Sequence, residues 1–460
     1  MASHFPLRAT WEAVILAAAV PVLAVNPAYA PGISLSFGGA SLSIETGDMA
    51  MLAVAVATLA VARREGWAPL RNAGMVLVPA GLLVLSVILA TLLGPQLTEG
   101  YPLAAKIVSA AKFLEYAVLV VAVPVIVRGA ADAKAVAASV VATGVAATGW
   151  ATLQLVGFLP NFDNVPAGRR MPAFAGYHDF AILSGLTLAV AVGAVALGHP
   201  RSSRPFVWLA ASAGVVGIVI AGALSAVLAL LLGIAFAIGV MFVRKVATGA
   251  RVAALVAIAV IVLTGSGIMR SGDAADFIGF LDPNSETTQT GVETYSQRTV
   301  LSYIGLRIFV DHPFGGVGWQ ASELPVNVEP FLADVRRRFP DVTEEALPSA
   351  AHPWGVQNAY IQAAADMGVA GLVFIVWLAL AAIIRSGRAT LSRQATVALA
   401  LPVTVASLVC VFEWAALGLV AGGPATALIW FTFGSAVAVG GAMSFERSAA
   451  ASTATSPVSP

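Results

Sequence analysis

Long apolar runs separated by short polar connectors fill most of this chain, and one long polar stretch breaks the series. A membrane-crossing helix needs about 20 apolar residues. Twelve segments read as candidates: 11–28, 46–62, 72–93, 104–127, 135–156, 177–197, 205–221, 223–243, 252–268, 356–384, 395–417 and 423–443. Residues 205–243 hold few turn signals beyond Ala221-Gly222, so the seventh and eighth segments could also form one bent pair or something less regular. The pattern predicts an all-α, polytopic integral membrane protein with about twelve transmembrane helices. Residues 1–269 hold spans 1–9, 270–354 form a large loop with an amphipathic helix, and 355–444 hold spans 10–12. Residues 445–460 are low-complexity and read as a disordered tail.

Composition agrees with this pattern. Of the 460 residues, 59% are hydrophobic and only 11% are charged, where a soluble domain carries about 25% charged residues. The formal net charge is +1, so bulk charge does not point to nucleic acid or to an acidic partner. The single cysteine, Cys410, lies in an apolar run, which excludes an intramolecular disulfide and a cysteine-based metal site. Near the N-terminus Arg8, an apolar stretch and Ala28-Tyr29-Ala30 imitate a signal peptide, but Glu12 and the many later spans favour an uncleaved first helix.

The basic residues fix an orientation. Arg63, Arg64 and Arg71 share one connector, and Arg128 and Lys134 another. Arg201 with Arg204, then Arg244, Lys245 and Arg251, then Arg385, Arg388 and Arg393 fill three more, while Arg8 and Arg447 mark the ends. With twelve spans all of these lie on one side, which the positive-inside rule makes cytoplasmic, together with both termini. The other connectors carry Glu45, Glu99 and the 270–354 stretch, which has 12 Asp or Glu against 6 Arg, and are expected outside.

Two arginines break that rule: Arg169 and Arg170 in AGRRMPAFAGYHDFA, ahead of the sixth segment. A guanidinium stays charged and binds phosphate oxygens in a bidentate manner, so the pair is a candidate clamp for an anionic substrate. A lipid-headgroup contact or a salt bridge to Asp163 is the alternative. His178 and Asp179 follow, although a lone histidine at a helix start is more often structural than catalytic. In the large loop, RTVLSYIGLRIFVD places Val300, Leu301, Ile304 and Ile308 on one side of an amphipathic helix, with Arg298 and Arg307 extending from it. DHPFGGVGW at 311–319 is a Pro- and Gly-rich turn, and Arg336, Arg337 and Arg338 read as a solvated face. Where the loop returns to the membrane come His352, Trp354, Gln357, Asn358, Tyr360 and Gln362. Of these His352 suits general-base work near neutral pH. Within the spans Lys106, Lys112, Glu115 and Glu413 are unusual, because intramembrane charges are costly and tend to line cavities or pair. Lys112 could pair with Glu115 or Glu413. There is no nucleotide-binding glycine loop and no zinc-protease motif, so an ATP-driven or zinc-dependent mechanism has no support.

The order of these pieces resembles the O-antigen ligase and polymerase superfamily of bacterial membrane glycosyltransferases. RRMPAFAGYHDFA is similar to that family's arginine-then-aromatic segment before a span. RTVLSYIGLRIFVDHPFGGVGW is similar to its arginine, amphipathic helix and glycine turn. In QNAYIQAAADMGVAG, Asn358 is followed by nine residues and then Gly368 and Gly371, as in its His-Asn, Gly-x-x-Gly signature. Two features depart from the family: its histidine falls at Gln357, and 221–233 lacks an arginine often found in the middle spans. The resemblance implies transfer of a glycan from a polyprenyl diphosphate to a sugar hydroxyl on a glycan or glycolipid acceptor, outside the bacterial cytoplasmic membrane. Because the leaving group is already activated, no cofactor and no metal are implied. On that reading Arg169, Arg170, Arg298 and, more weakly, Arg307 contact the donor diphosphate. His352 stands in as the base, and Gln357, Asn358 and Tyr360 position the acceptor. The alternatives are a membrane transporter or flippase, since putative bicarbonate carriers have been given the same signature, or a non-catalytic partner in envelope assembly. A transporter should show broken helices or paired charges near mid-membrane, whereas the charges here cluster toward the outer face.

Overall fold

The computed structural model describes residues 9–37, 40–162, 170–198, 203–271, 293–340, 342, 344–349, 354–392, 397–419 and 423–454. Each of the twelve predicted segments contains a helix. Helix α1 spans Trp11–Leu23, α2 Thr46–Glu65, α3 Gly74–Leu97, α4 Leu103–Ala117, α5 Leu119–Ile126 and α6 Ala130–Leu155. Then come α7 (Tyr177–Leu197), α8 (Arg204–Ala221), α9 (Leu224–Val243) and α10 (Gly249–Met269). The large polar stretch holds α11 (Glu293–Asp311) and α12 (Pro325–Arg338), and the chain continues with α13 (Ala359–Leu391), α14 (Val397–Trp414) and α15 (Pro424–Ala454). Among the described residues nine helices are long and apolar enough to cross a membrane, with α4 and α5 forming one such span. Three shorter apolar helices, Trp11–Leu23, Leu399–Trp414 and Pro424–Gly440, occupy the remaining predicted positions.

The boundaries differ where side chains intervene. Helix α1 is only 13 residues long, because Asn26-Pro27 ends the run: proline has no N–H to continue a helix. Helix α6 begins five residues before the predicted 135, where the Asp132 carboxylate accepts the Gly129 N–H at 3.2 Å and the Thr10 N–H at 2.9 Å. The ambiguous stretch 205–243 resolves into two helices at Gly222, which adopts φ 62°, a left-handed conformation open to glycine. Helix α15 runs on to Ala454, into the stretch read as a tail, and the alanine-rich sequence there has high helix propensity.

One element departs from the all-helical pattern. Strands β1 (Gly32–Phe37) and β2 (Ala40–Glu45) pair antiparallel between α1 and α2. The register sets Ile33 opposite Ile44, Leu35 opposite Leu42, and Ser34 opposite Ser43. Apolar residues and serines alternate with period 2 along both strands.

Helix α7 is the buried centre of the bundle, with 83% of its membrane window buried. Small residues let its neighbours approach: a Cβ on Gly214 of α8 would stand 2.6 Å from the Leu188 Cβ. The basic connectors gather at one end. There Arg64 pairs with Glu12, Arg128 pairs with Glu65, and Arg385 donates to the Asn72 carbonyl at 2.6 Å. The polar stretch 293–349 caps the opposite end. Lys106 near that end pairs with Glu323, and Lys112 pairs with Asp48 rather than with Glu413.

The predicted amphipathic helix is present in α11, and Val300, Leu301, Ile304 and Ile308 are buried. Val300, Ile304 and Ile308 form a small second core with Val328, Phe331 and Val335 of α12, a helix that the charged sequence 325–338 did not suggest. This unit is anchored by the turn at 312–322, which enters a break in α13. Gly368 has φ 67° inside that helix. Across the break the Val369 N–H donates to the Pro313 carbonyl at 2.7 Å, and the Val317 and Gly318 N–H groups donate to Ala365 and Asp366 carbonyls at 3.0 Å. The buried Asp366 carboxylate accepts the Gln320 and Ser322 N–H groups, each at 3.0 Å. Tyr101 donates to the Trp319 carbonyl at 3.0 Å, and burial raises its hydroxyl pKa, with the Asp366 carboxylate adding to the effect. The two glycine-bearing signatures are therefore one interlocked structure.

This docking leaves no room for a side chain at Gly368, where a Cβ would meet the Phe314 backbone at 2.6 Å. Left-handed backbone at a non-glycine residue costs about 1–3 kcal/mol before any clash. Gly368→Ala should therefore lower the melting temperature of the detergent-purified protein by several degrees or abolish its accumulation. Gly239→Ala, in α9 with nothing within 4 Å, should be neutral or slightly stabilising. Equal melting temperatures for the two variants would refute the interlock.

Candidate functional site

Several helix ends meet under the capping unit, and a buried carboxylate lies among them. Glu413 is in the last turn of α14, with its side chain fully buried. A carboxylate there must be paired or the bundle loses several kcal/mol. Its Oε2 lies 2.7 Å from Nδ1 of His178, the second residue of α7. Its Oε1 accepts the hydroxyl of Ser225, in the first turn of α9. The imidazole continues the chain outward: His178 Nε2 lies 2.7 Å from Nη2 of Arg298, on α11. Arg298 Nε in turn donates to Gln357 Oε1 at 3.0 Å, just before α13.

The chemistry of these groups assigns the histidine tautomer. Arginine offers only donors, so Nε2 accepts from Arg298, and Nδ1 carries the proton that it donates to Glu413. Asp179, the next residue, accepts the Ala425 N–H at 2.6 Å and so ties the start of α7 to the start of α15. The imidazole is thus held from two sides, and 18% of the His178 side-chain surface remains exposed, enough for contact with a small polar group.

More positive charge lies beside this chain of contacts. The Arg170 guanidinium sits over the Tyr177 ring, 4.7 Å from its centroid, and Tyr177 adjoins His178. A Cβ on Gly222 would lie 3.5 Å from the Arg170 Cβ and 3.7 Å from the Arg270 side chain. The α8–α9 turn is therefore flanked by two arginines from other segments. It belongs to the stretch 221–233 that lacks an arginine of its own.

Of the predicted site residues the structure joins Arg298 to Gln357 directly, and it sets Arg170 over Tyr177, the neighbour of His178. Arg307, Asn358 and Tyr360 direct their side chains to other partners. Arg307 follows Arg298 by nine positions, roughly 13 Å along a helix, and lies over the Phe331 ring at 5.8 Å. Asn358 is the N-cap of α13: its Oδ1 accepts the Tyr360 and Ile361 N–H groups at 3.1 Å, and its amide donates to the Ala415 carbonyl at 3.1 Å. The Tyr360 hydroxyl donates to the Val411 carbonyl at 2.8 Å, inside the bundle. Gln362 is buried and bonded to Asp366 and to the Leu419 N–H. Arg169 and His352 lie outside the described residues. The sequence reading gave little weight to His178 and assigned no role to Ser225 or Arg270. Glu413 had one usable signal, the cost of a carboxylate inside a span.

Residues 207–376 match the family model described as O-antigen ligase. That window contains Ser225, Arg270, Arg298 and Gln357, together with the interlocked turn and the Gly368 break, while Arg170, His178 and Glu413 lie on either side of it. No curated protein matches the chain. Residues 207–376 thus resemble an O-antigen ligase domain, and the match supports placing this multi-pass membrane protein with the O-antigen ligase/polymerase superfamily.

Proposed function

We propose that the protein transfers a glycan from a polyprenyl diphosphate to a sugar hydroxyl of a glycan or glycolipid acceptor. The reaction runs at the capped end of the bundle, on the outer side of a bacterial cytoplasmic membrane. The observation that carries this reading is the contact of Arg298 with His178, with Arg170 over the adjoining Tyr177, where spanning helices meet the capping unit. A polyprenyl diphosphate keeps its tail in the bilayer and its diphosphate at the surface, at the level of such helix ends. Arg298 and Arg170 supply donors for the diphosphate oxygens and neutralise the charge that grows on them as the glycosyl bond breaks. Gln357 orients the Arg298 guanidinium. No nucleotide, metal or cofactor is required, because the bond to the diphosphate is already activated.

The transporter alternative would draw on the break in α13 at Gly368. The backbone groups around that break bond to the 313–318 turn. A break filled by the protein's own chain offers no substrate site there, which favours the transferase.

The orientation can be read by labelling. The sole cysteine, Cys410, is buried, so single cysteines can be added without removing it. In intact cells a membrane-impermeant maleimide should label Arg337→Cys and leave Arg63→Cys unlabelled until the cells are opened. The reverse pattern would overturn the orientation.

The arginine roles can be tested with purified protein, a lipid-linked glycan donor and its acceptor. A charge-assisted hydrogen bond is worth about 1.5–3 kcal/mol, so Arg170→Ala should weaken donor use by roughly tenfold to a hundredfold. Arg298→Ala should do at least as much harm, because it also removes a contact of His178. Arg336→Ala should leave transfer unchanged, since it breaks an exposed pair with Glu344 of a kind worth little. Equal effects from Arg170→Ala and Arg336→Ala would contradict the diphosphate site.

A further inference from the structure

We infer that His178, held by Glu413, is the general base that takes the proton from the acceptor hydroxyl; this rests on the glycan-transfer reading above. The reaction needs a proton acceptor beside the diphosphate. Gln357, beside the same arginine, is an amide and does not accept a proton near neutral pH. Gln357 and His178 touch the same guanidinium: Arg298 Nε lies 3.0 Å from Gln357 Oε1, and Nη2 lies 2.7 Å from His178 Nε2. The imidazole supplied by α7 therefore stands across one guanidinium from Gln357.

Its surroundings match the work of a base. Nε2 carries the lone pair and faces the arginine that would bind the donor. Nδ1–H is fixed on Glu413, whose other oxygen is held by Ser225. Among the described residues the charged groups beside the ring include Glu413 from α14, Arg298 from α11, and the neighbouring Asp179, which is bonded to the Ala425 N–H. Arg170 lies beyond Tyr177. Glu413 is fully buried, so its charge acts on the imidazolium with little screening by water. Glu413 and Ser225 are positioning residues.

The step balances as follows. The donor diphosphate draws the Arg298 N–H groups onto its oxygens, and Nε2 is left open to the acceptor. The acceptor hydroxyl gives its proton to Nε2, and its oxygen electron pair forms the new bond to the anomeric carbon of the donor glycan. The bond from that carbon to the diphosphate oxygen breaks, and its electron pair leaves with the polyprenyl diphosphate. Arg298 and Arg170 hold the added negative charge. Glu413 stabilises the imidazolium until the proton passes to the departing diphosphate or to water.

The test uses the full-length protein in proteoliposomes, with a lipid-linked glycan donor and its acceptor. His178→Ala should lower the transfer rate by about a hundredfold to ten-thousandfold, with the donor KM changed by less than about threefold. Added imidazole should restore part of that rate. Glu413→Gln should lower kcat by a smaller factor at nearly constant donor KM. If His178→Ala is poorly folded, His178→Gln keeps a donor toward Glu413, removes the base, and should show the same loss. A wild-type rate in His178→Ala, or a loss that appears as donor KM with no response to imidazole, would overturn the assignment. So would full activity in His178→Ala beside a large loss in His352→Ala. A wild-type protein that neither binds nor uses any lipid-linked donor would instead overturn the glycan-transfer reading itself.

Discussion

Glu413 is a carboxylate with no access to water, and much of the capped end is organised around pairing it. Left alone, such a group would cost several kcal/mol or force a proton onto itself. Ser225 and His178 satisfy its two oxygens from different helices. His178 then presents its second nitrogen to Arg298, and Arg298 reaches Gln357. A single series of contacts therefore runs from inside the bundle to the extramembrane unit. Removing one link takes a contact from the next polar group, so the links act together.

A second constraint positions that unit. Helix α13 is interrupted at Gly368, and the 312–322 turn supplies donors and acceptors across the gap. The exchange works only where two glycine-bearing segments approach backbone to backbone, as Gly316 and Gly368 do. It fixes the base of α11, and so sets where Arg298 emerges relative to α7. The interlock is structural and the arginine–histidine contact is chemical, but each needs the other. Without the docked turn, Arg298 would have no fixed place to meet His178.

Much of this was legible in the chain. Apolar run lengths and basic connectors marked the twelve helical segments, because hydrophobic length is imposed by the bilayer and charge by the side. Helical spacing of Val300, Leu301, Ile304 and Ile308 identified α11, and all four are buried. Helix α12 was obscured by its arginines, which hide the apolar face of Val328, Phe331 and Val335. The serine-rich hairpin was missed because its strands are short and lie between spans. The site was legible only in part. Arg170 stood out as a basic residue in a connector expected outside and Arg298 as a charge extending from the amphipathic helix, while Asn358 and Tyr360, within a family signature, are engaged in capping and packing. His178 and Glu413 are 235 positions apart, and neither belongs to a local motif. Only the cost of burying Glu413 pointed to a partner, and the fold had to supply which one.

The most direct measurement is a structure of the protein with a polyprenyl diphosphate bound. The account predicts diphosphate oxygens about 3 Å from the guanidinium of Arg298, with Arg170 close by. It also predicts that His178 remains on Glu413 while its Nε2 parts from Arg298 and faces the bound diphosphate. A diphosphate seated at the basic end, near Arg64 and Arg128, with the His178–Arg298 contact unchanged, would contradict it.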